Sequence, residues 1–225
     1  MTGPHRRMDE ADRDGRWRAA RQAVLLVMAI AVPVVFDTGV RPSFALPKVT
    51  VLAAGASVLV ALALAEWARR GAWPWRNRLE LTVLAFLAWT ALSAVASDEP
   101  RRSLLGARES LNGLVTVAVL VVVFFAAARD FEVGRVRTAL AVLWFGAGGA
   151  VLAYGAVQLG DRLTHGGSWD PVPWSNPLGA GAIWSTLGNP NDLAGFLAVV
   201  LPVGLVLLVT ATSRLVRALG ATMVG

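Results

Sequence analysis

Residues 110–128 read SLNGLVTVAVLVVVFFAAA, an uncharged stretch that Glu109 precedes and Arg129 follows. A helix crosses the hydrocarbon core of a bilayer when roughly 17 to 25 mostly apolar residues follow one another, because each residue advances the helix by about 1.5 Å. The stretch meets that requirement, and its charged flanks suit the headgroup layers on either side. It therefore predicts a membrane-spanning helix.

Five further stretches show the same pattern of apolar residues between charges. They lie at 22–36, 49–65, 81–97, 138–160 and 193–213. The first is the shortest and needs length from its flanks, where Arg21 is expected to reach the headgroups. Pro33 and Pro202 fall inside the first and last stretches, where neighbouring helices must accommodate a kink. We predict an all-α integral membrane protein, a bundle of about six transmembrane helices.

Composition supports this fold class and excludes others. Hydrophobic residues make up 56% of the chain and charged residues only 16%, with a mean hydropathy of +0.58. The net charge of +6 could suggest a nucleic-acid partner, but the charges fall between the apolar stretches and not on one soluble face. We therefore expect membrane lipids and no nucleic acid as partners. The chain has no cysteine and only His5 and His165 as imidazoles, so no metal site with cysteine or histidine ligands is expected.

Basic residues predict the orientation. Segments 1–21, 66–80, 129–137 and 214–225 together hold 15 of the 21 lysines and arginines, which places them in the cytoplasm. The segments expected outside are 37–48, 98–109 and 161–192. Within the last of these, 171–191 is too rich in proline, glycine and asparagine to span lipid, so we interpret it as an outer loop.

The two ends of the chain carry separate expectations. Residues 1–21 are interpreted as a basic cytoplasmic tail, and the first 16 residues are expected to be disordered because they are charged and lack apolar periodicity. Residues 214–225 are interpreted as a cytoplasmic end in which a seventh span begins at Ala218. That apolar run ends too soon to cross a bilayer.

Three arginines in the expected outer segment 98–109 oppose the orientation trend. Guanidinium groups at Arg101, Arg102 and Arg108 would bind a phosphate or pyrophosphate through paired charge-assisted hydrogen bonds. The alternative is contact with phospholipid headgroups or pairing with nearby acidic residues, and loop arginines by themselves favour that reading.

The segment that enters the last span offers a second candidate. Asn189 can cap the helix with Pro190 at its first position, or Asn191 can cap it slightly later. The same helix end, with its free N–H groups, would attract an anionic phosphate, although capping alone explains these residues. A lone histidine at 165 carries no mechanism, and no ionisable residue is expected deep within a span, which argues against an ion-coupled transporter.

Two stretches resemble the N-terminal half of the O-antigen ligase and polymerase family of bacterial envelope enzymes. One is SDEPRRSLLG at 97–106, followed by LNGL at 111–114, and the other is GNPNDLAG at 188–195, followed by Leu201-Pro202. The resemblance implies transfer of a glycan from undecaprenyl pyrophosphate to a lipid, glycan or protein acceptor. The reaction would take place at the outer face of the cytoplasmic (inner) membrane, without nucleotide or metal.

The resemblance also implies which residues bind the donor. The candidates for the pyrophosphate site are Arg101, Arg102, Arg108, Asn189 and Asn191. In that family a histidine in a later, larger outer loop activates the acceptor, and His165 does not occupy that position. We therefore assign no catalytic residue and expect catalysis to reside beyond residue 225. The alternative is a non-enzymatic membrane component, such as a translocator of lipid-linked oligosaccharides or an assembly subunit.

Overall fold

The structure, a computed structural model, describes residues 4–37, 39–40, 42–70, 78–107, 110–131, 139–165, 183 and 185–210. Over these residues the regular elements are all helical. The helices are α1 (Pro4–Val34), α2 (Ala45–Arg70), α3 (Arg78–Val95), α4 (Pro100–Leu105), α5 (Leu114–Asp130), α6 (Ala139–His165) and α7 (Pro190–Thr210). Within α6 a π-helical stretch occupies Leu143–Gly148, and a 3₁₀ turn at Ser185–Leu187 precedes α7.

Within the described residues, five helices are long and apolar enough to cross a membrane. They are the Gly15–Val34 part of α1, Ala45–Arg69 of α2, and the whole of α3, α6 and α7. The chain is thus an α-helical, multi-pass membrane protein, which confirms the all-α membrane class, while five helices and not six meet the requirement for a span in the described residues. The stretch at 110–128 forms most of α5, but with 17 residues this helix is shorter than the other five.

Several helices begin or end at residues other than the predicted ones, for physical reasons. The first span was expected to be short, yet α1 continues well before residue 22 and supplies the missing length. The fourth begins at Leu114 and not at 110, because Gly113 lies against Gly106 in a loop. The expected outer segment 98–109 contains α4. The predicted loop 161–192 is shortened at both ends by α6 and α7, and residues 166–182 lie outside the described residues.

The expectation of disorder in the first 16 residues is wrong from Pro4 onward, where α1 has already begun. Proline suits the first turn of a helix, and the following arginines, alanine and glutamate are good helix formers that need no apolar periodicity. The apolar run at the end of the chain, where a seventh span was expected to begin, lies outside the described residues.

The chain divides into two compact units, and the divisions fall within α1, within α2 and after α5. Unit 1 comprises Met1–Met28 and Val49–Glu132, and unit 2 comprises Ala29–Lys48 and Val133–Gly225. In unit 1 a buried cluster of Leu25, Met28 and Leu59 packs against one side of α5. Gly55 permits this approach, because a Cβ atom there would overlap the Met28 side chain.

Trp144 forms the centre of unit 2. Its side chain is 1% exposed and packs with Val200 and Leu207 of α7. A Cβ atom on Gly204 would overlap the indole ring, so glycine provides the space for it. Since lipid tails are as apolar as leucine, close packing around small residues is what favours contact between helices in a membrane.

Candidate functional site

The predicted arginine site lies on α4, which connects α3 to α5 in unit 1. Pro100 begins this short helix, and Gly106 ends it with φ +86° and ψ 174°. That conformation is essentially restricted to glycine. The Ser103 hydroxyl lies 2.8 Å from the Ser97 hydroxyl, which ties α4 to the segment that follows α3.

Gly106 and Gly113 place the end of α4 directly against the start of α5. A Cβ atom on Gly106 would overlap the backbone nitrogen of Asn112, and one on Gly113 would overlap the backbone nitrogen of Gly106. Only two residues without side chains can approach this closely. The pair therefore determines where α4 sits relative to α5.

Arg101 and Arg102 are both exposed. Arg102 Nη1 lies 3.3 Å from Glu99 Oε2, with the two side chains 68% and 66% exposed. Arg101 makes no hydrogen bond or ion pair with any residue that the structure describes. The third candidate, Arg108, lies outside the described residues.

The Asn189 and Asn191 candidates lie at the start of α7 in unit 2. Asn189 Oδ1 accepts a hydrogen bond from the Asn191 backbone N–H at 2.9 Å, and the Asn189 carbonyl accepts one from the Leu193 N–H. These contacts begin the helix, as the capping interpretation expects. The ligand-binding interpretation of the two asparagines stays a prediction.

In unit 2, hydrogen bonds join the 3₁₀ turn before α7 to residues of α1, α2 and α6. The Ser185 hydroxyl donates to the Val151 carbonyl at 2.5 Å, and Gln158 Oε1 accepts from the Ser185 N–H at 2.8 Å, both on α6. The Thr186 hydroxyl donates to the Pro33 carbonyl of α1 at 2.8 Å. The Thr186 carbonyl accepts from Lys48 Nζ of α2 at 2.9 Å. These contacts, which the sequence argument did not find, position the residues that open α7.

An ion cluster that the sequence argument also missed joins three helices of unit 1. It consists of the side chains of Arg21 (α1), Glu66 (α2) and Asp130 (α5), which are 5%, 4% and 1% exposed. Arg21 Nε and Nη2 donate to the two Asp130 carboxylate oxygens at 2.6 and 2.7 Å, and Nη1 donates to Glu66 Oε2 at 2.5 Å. Arg129 Nη2 lies 3.6 Å from the other Glu66 oxygen. The guanidinium thus holds two carboxylates from distant parts of the chain.

The expectation that Arg21 reaches the headgroups is therefore wrong, because the two carboxylates bind its guanidinium inside the unit. Glu66 and Asp130 lie near the ends of α2 and α5, whereas Arg21 lies inside α1, and all three side chains are buried. One signal was available: Arg21 and Glu66 border predicted spans and Asp130 lies two residues after one, all on the side that the basic residues predict to be cytoplasmic.

The α4 arginines and the ion cluster lie at opposite ends of α5. Gly113, next to α4, immediately precedes the helix, and Asp130 is its last residue. A 17-residue helix is roughly 25 Å long, which is close to the thickness of a hydrocarbon core. The exposed arginines and the buried ion cluster are thus separated by the length of α5.

Histidine and acidic side chains are spread over the described part of the chain. Among those residues no group of three or more His, Asp or Glu side chains is arranged to hold a metal ion. His165, on the last turn of α6, has Nδ1 2.7 Å from the Thr164 hydroxyl and 3.5 Å from Asp161 Oδ1, and is exposed. Thr164 and Asp161 both lie on the same helix as His165.

Comparison with known proteins adds no relative. No model of a protein family matches the chain, and neither does any curated protein or solved structure.

Proposed function

We propose that this chain is part of an O-antigen-ligase-like glycosyltransferase of the cytoplasmic membrane. In this proposal Arg101 and Arg102, with Arg108, bind the pyrophosphate of an undecaprenyl-linked glycan donor at the outer face. The resemblance of residues 97–106 and 188–195 to that family motivates the proposal. No catalytic residue is assigned within the 225 residues.

One observation carries the proposal: α4 presents two exposed arginines at the end of α5 opposite the ion cluster. A lipid diphosphate has its charged oxygens in the headgroup layer, where a guanidinium can offer two parallel N–H donors. Arg101 has no partner among the described residues to compete with such a ligand. The exposed Arg102–Glu99 pair is worth only about 0–1 kcal/mol and is easily displaced by a ligand of higher charge.

The proposal includes six crossings with the N-terminus in the cytoplasm, so that α5 is a span. Its first residue follows the α4 segment, and its last contacts α1 and α2 through the ion cluster. α5 therefore connects the α4 segment at one end with the ion cluster at the other, as a membrane-spanning helix would. Its 17 residues are within the range for a crossing. The basic residues then place Arg21, Glu66 and Asp130 toward the cytoplasm and α4 outside.

Orientation is tested with single cysteines, which have no background because the chain contains none. A cysteine replacing the exposed Asp98 should react with a membrane-impermeant maleimide in intact cells. A cysteine replacing the exposed Gly15 should react only after permeabilisation. Labelling of Gly15→Cys alone in intact cells would reverse the orientation, and labelling of both would contradict the proposed course of the chain.

Donor binding is tested with the purified chain in lipid nanodiscs, using undecaprenyl pyrophosphate as the probe. Loss of a charged hydrogen bond is worth about 1.5–3 kcal/mol, so Arg101→Ala and Arg102→Ala should each weaken binding by roughly 10- to 150-fold. The corresponding lysine variants should recover only part of the affinity, because an ammonium lacks the paired donors.

The matched control is Arg78→Ala, which removes an exposed arginine at the start of α3. It should bind like the parent chain. If the Arg101 and Arg102 variants also bind like the parent, contact with phospholipid headgroups is the better explanation of this segment. An equal loss of affinity for undecaprenyl pyrophosphate and for an anionic phospholipid would also indicate that these arginines contact headgroups.

A further inference from the structure

Four backbone carbonyl oxygens of unit 2 converge on the side-chain ammonium of Lys48, the only lysine in the chain. Three belong to the end of α1 and the residue after it: Lys48 Nζ lies 3.1, 3.0 and 3.0 Å from the carbonyl oxygens of Val32, Pro33 and Val35. The fourth, at 2.9 Å, is the carbonyl oxygen of Thr186. We call these four oxygens the carbonyl cluster.

The carbonyl cluster has more acceptors than the ammonium group has N–H donors. An ammonium group has three N–H donors, whereas the carbonyl cluster offers four acceptors at nearly equal distances. Rings of backbone carbonyls at such distances are how membrane proteins surround a compact monovalent cation. The end of α1 adds its partial negative charge to that of the four oxygens. The surroundings therefore favour a small cation.

Ordinary capping accounts for only part of this arrangement. Lysine side chains often bind the last carbonyls of a helix, and that would explain Val32, Pro33 and Val35. It does not explain Thr186, which is 138 residues away from Lys48 in sequence. The Thr186 hydroxyl also donates to the Pro33 carbonyl, so the turn and the helix end share an oxygen of the cluster.

We propose that the carbonyl cluster is a binding site for a monovalent cation of the primary-ammonium class, occupied by the tethered ammonium of Lys48. The occupied site holds the turn Ser185–Leu187, and through it the start of α7, on the end of α1. Without the cation, four carbonyl dipoles would face one another with no positive charge between them. This site is independent of the proposed glycan transfer.

The first test restores the ammonium chemically. In Lys48→Cys the new cysteine is the only thiol in the chain, because the protein has none of its own. Alkylation with 2-bromoethylamine rebuilds a lysine-like ammonium, and alkylation with 1-iodopropane builds the same shape with a methyl group in its place. The aminoethyl form should regain the thermal midpoint of the parent chain. The propyl form should stay lower by on the order of 5 °C or more. Equal midpoints for the two forms would overturn the cation site.

The second test separates the site from capping and is made in membranes without purification. A thiol replacing the fully buried Ser185 should be protected from a maleimide in the Lys48 parent. Lys48→Met/Ser185→Cys keeps the side-chain volume at residue 48 but loses the charge. In this variant the thiol should react at least about tenfold faster, which corresponds to a free energy of opening the turn that is lower by about 1.4 kcal/mol. In Lys48→Arg/Ser185→Cys, which keeps a cation, the thiol should react at a rate closer to that in the Lys48 parent. This variant provides the comparison if the methionine variant does not accumulate. Unchanged protection in both variants would leave Lys48 as a cap of α1 alone and overturn the proposal.

Discussion

Arg21→Met should destabilise the protein by about 3–5 kcal/mol, because it leaves the carboxylates of Glu66 and Asp130 buried without their guanidinium. Asp130 loses two hydrogen bonds and Glu66 loses one. Arg129 compensates little, since it is partly exposed and lies 3.6 Å from Glu66 only. The measurement is unfolding of the purified chain by SDS in mixed micelles, followed by tryptophan fluorescence.

Two comparisons isolate the cause of this effect. Arg78→Met removes an exposed arginine and should change the free energy of unfolding by no more than about 0.5 kcal/mol. The triple change Arg21→Met, Glu66→Met and Asp130→Leu removes all three charges and should recover much of the lost stability, because no unpaired charge stays buried. If the triple variant is less stable than Arg21→Met alone, uncompensated charge is not the reason for the loss.

Gly106→Ala should cost about 2–5 kcal/mol, combining a backbone conformation that alanine resists with the overlap of its new methyl group. Gly106 has φ +86°, and the added Cβ atom would overlap the backbone nitrogen of Asn112. Backbone atoms cannot rotate away as a flexible side chain can, so α4 and α5 would have to separate. The thermal midpoint should fall, and the affinity for undecaprenyl pyrophosphate should fall with it if α4 carries the donor site.

The matched control for this change is Gly160→Ala on α6. An added Cβ atom there meets no atom within 4 Å and the residue has helical backbone angles, so alanine should stabilise the helix by roughly 0.5–1 kcal/mol. The two alanine variants should therefore shift the thermal midpoint in opposite directions. A Gly106→Ala protein as stable as Gly160→Ala would show that the two segments can move apart at little cost.

Much of the helical framework was predictable because hydropathy is a local property. The apolar stretches at 49–65, 81–97 and 193–213 all lie largely within α2, α3 and α7. The errors occur at ends, where the decisive contact comes from elsewhere in the chain: α5 starts late because Gly113 lies against Gly106. The candidate site divides in the same way. Exposure of Arg101 and Arg102 follows from their charge, whereas the Arg102–Glu99 pair was one of two alternatives that the sequence left open.

By itself the sequence determined that this is a multi-pass helical membrane protein and approximately where its helices lie, because roughly 20 apolar residues between charges have few other stable states. Only the tertiary structure decided that Arg21 binds Glu66 and Asp130, and that Lys48 binds Thr186. These partners are 45, 109 and 138 residues apart. Hydropathy places each charge at or near the border of an apolar stretch, but which charges meet depends on the rotation of each helix about its axis. That rotation is determined by side-chain packing among helices, such as Met28 on Gly55 and Trp144 on Gly204.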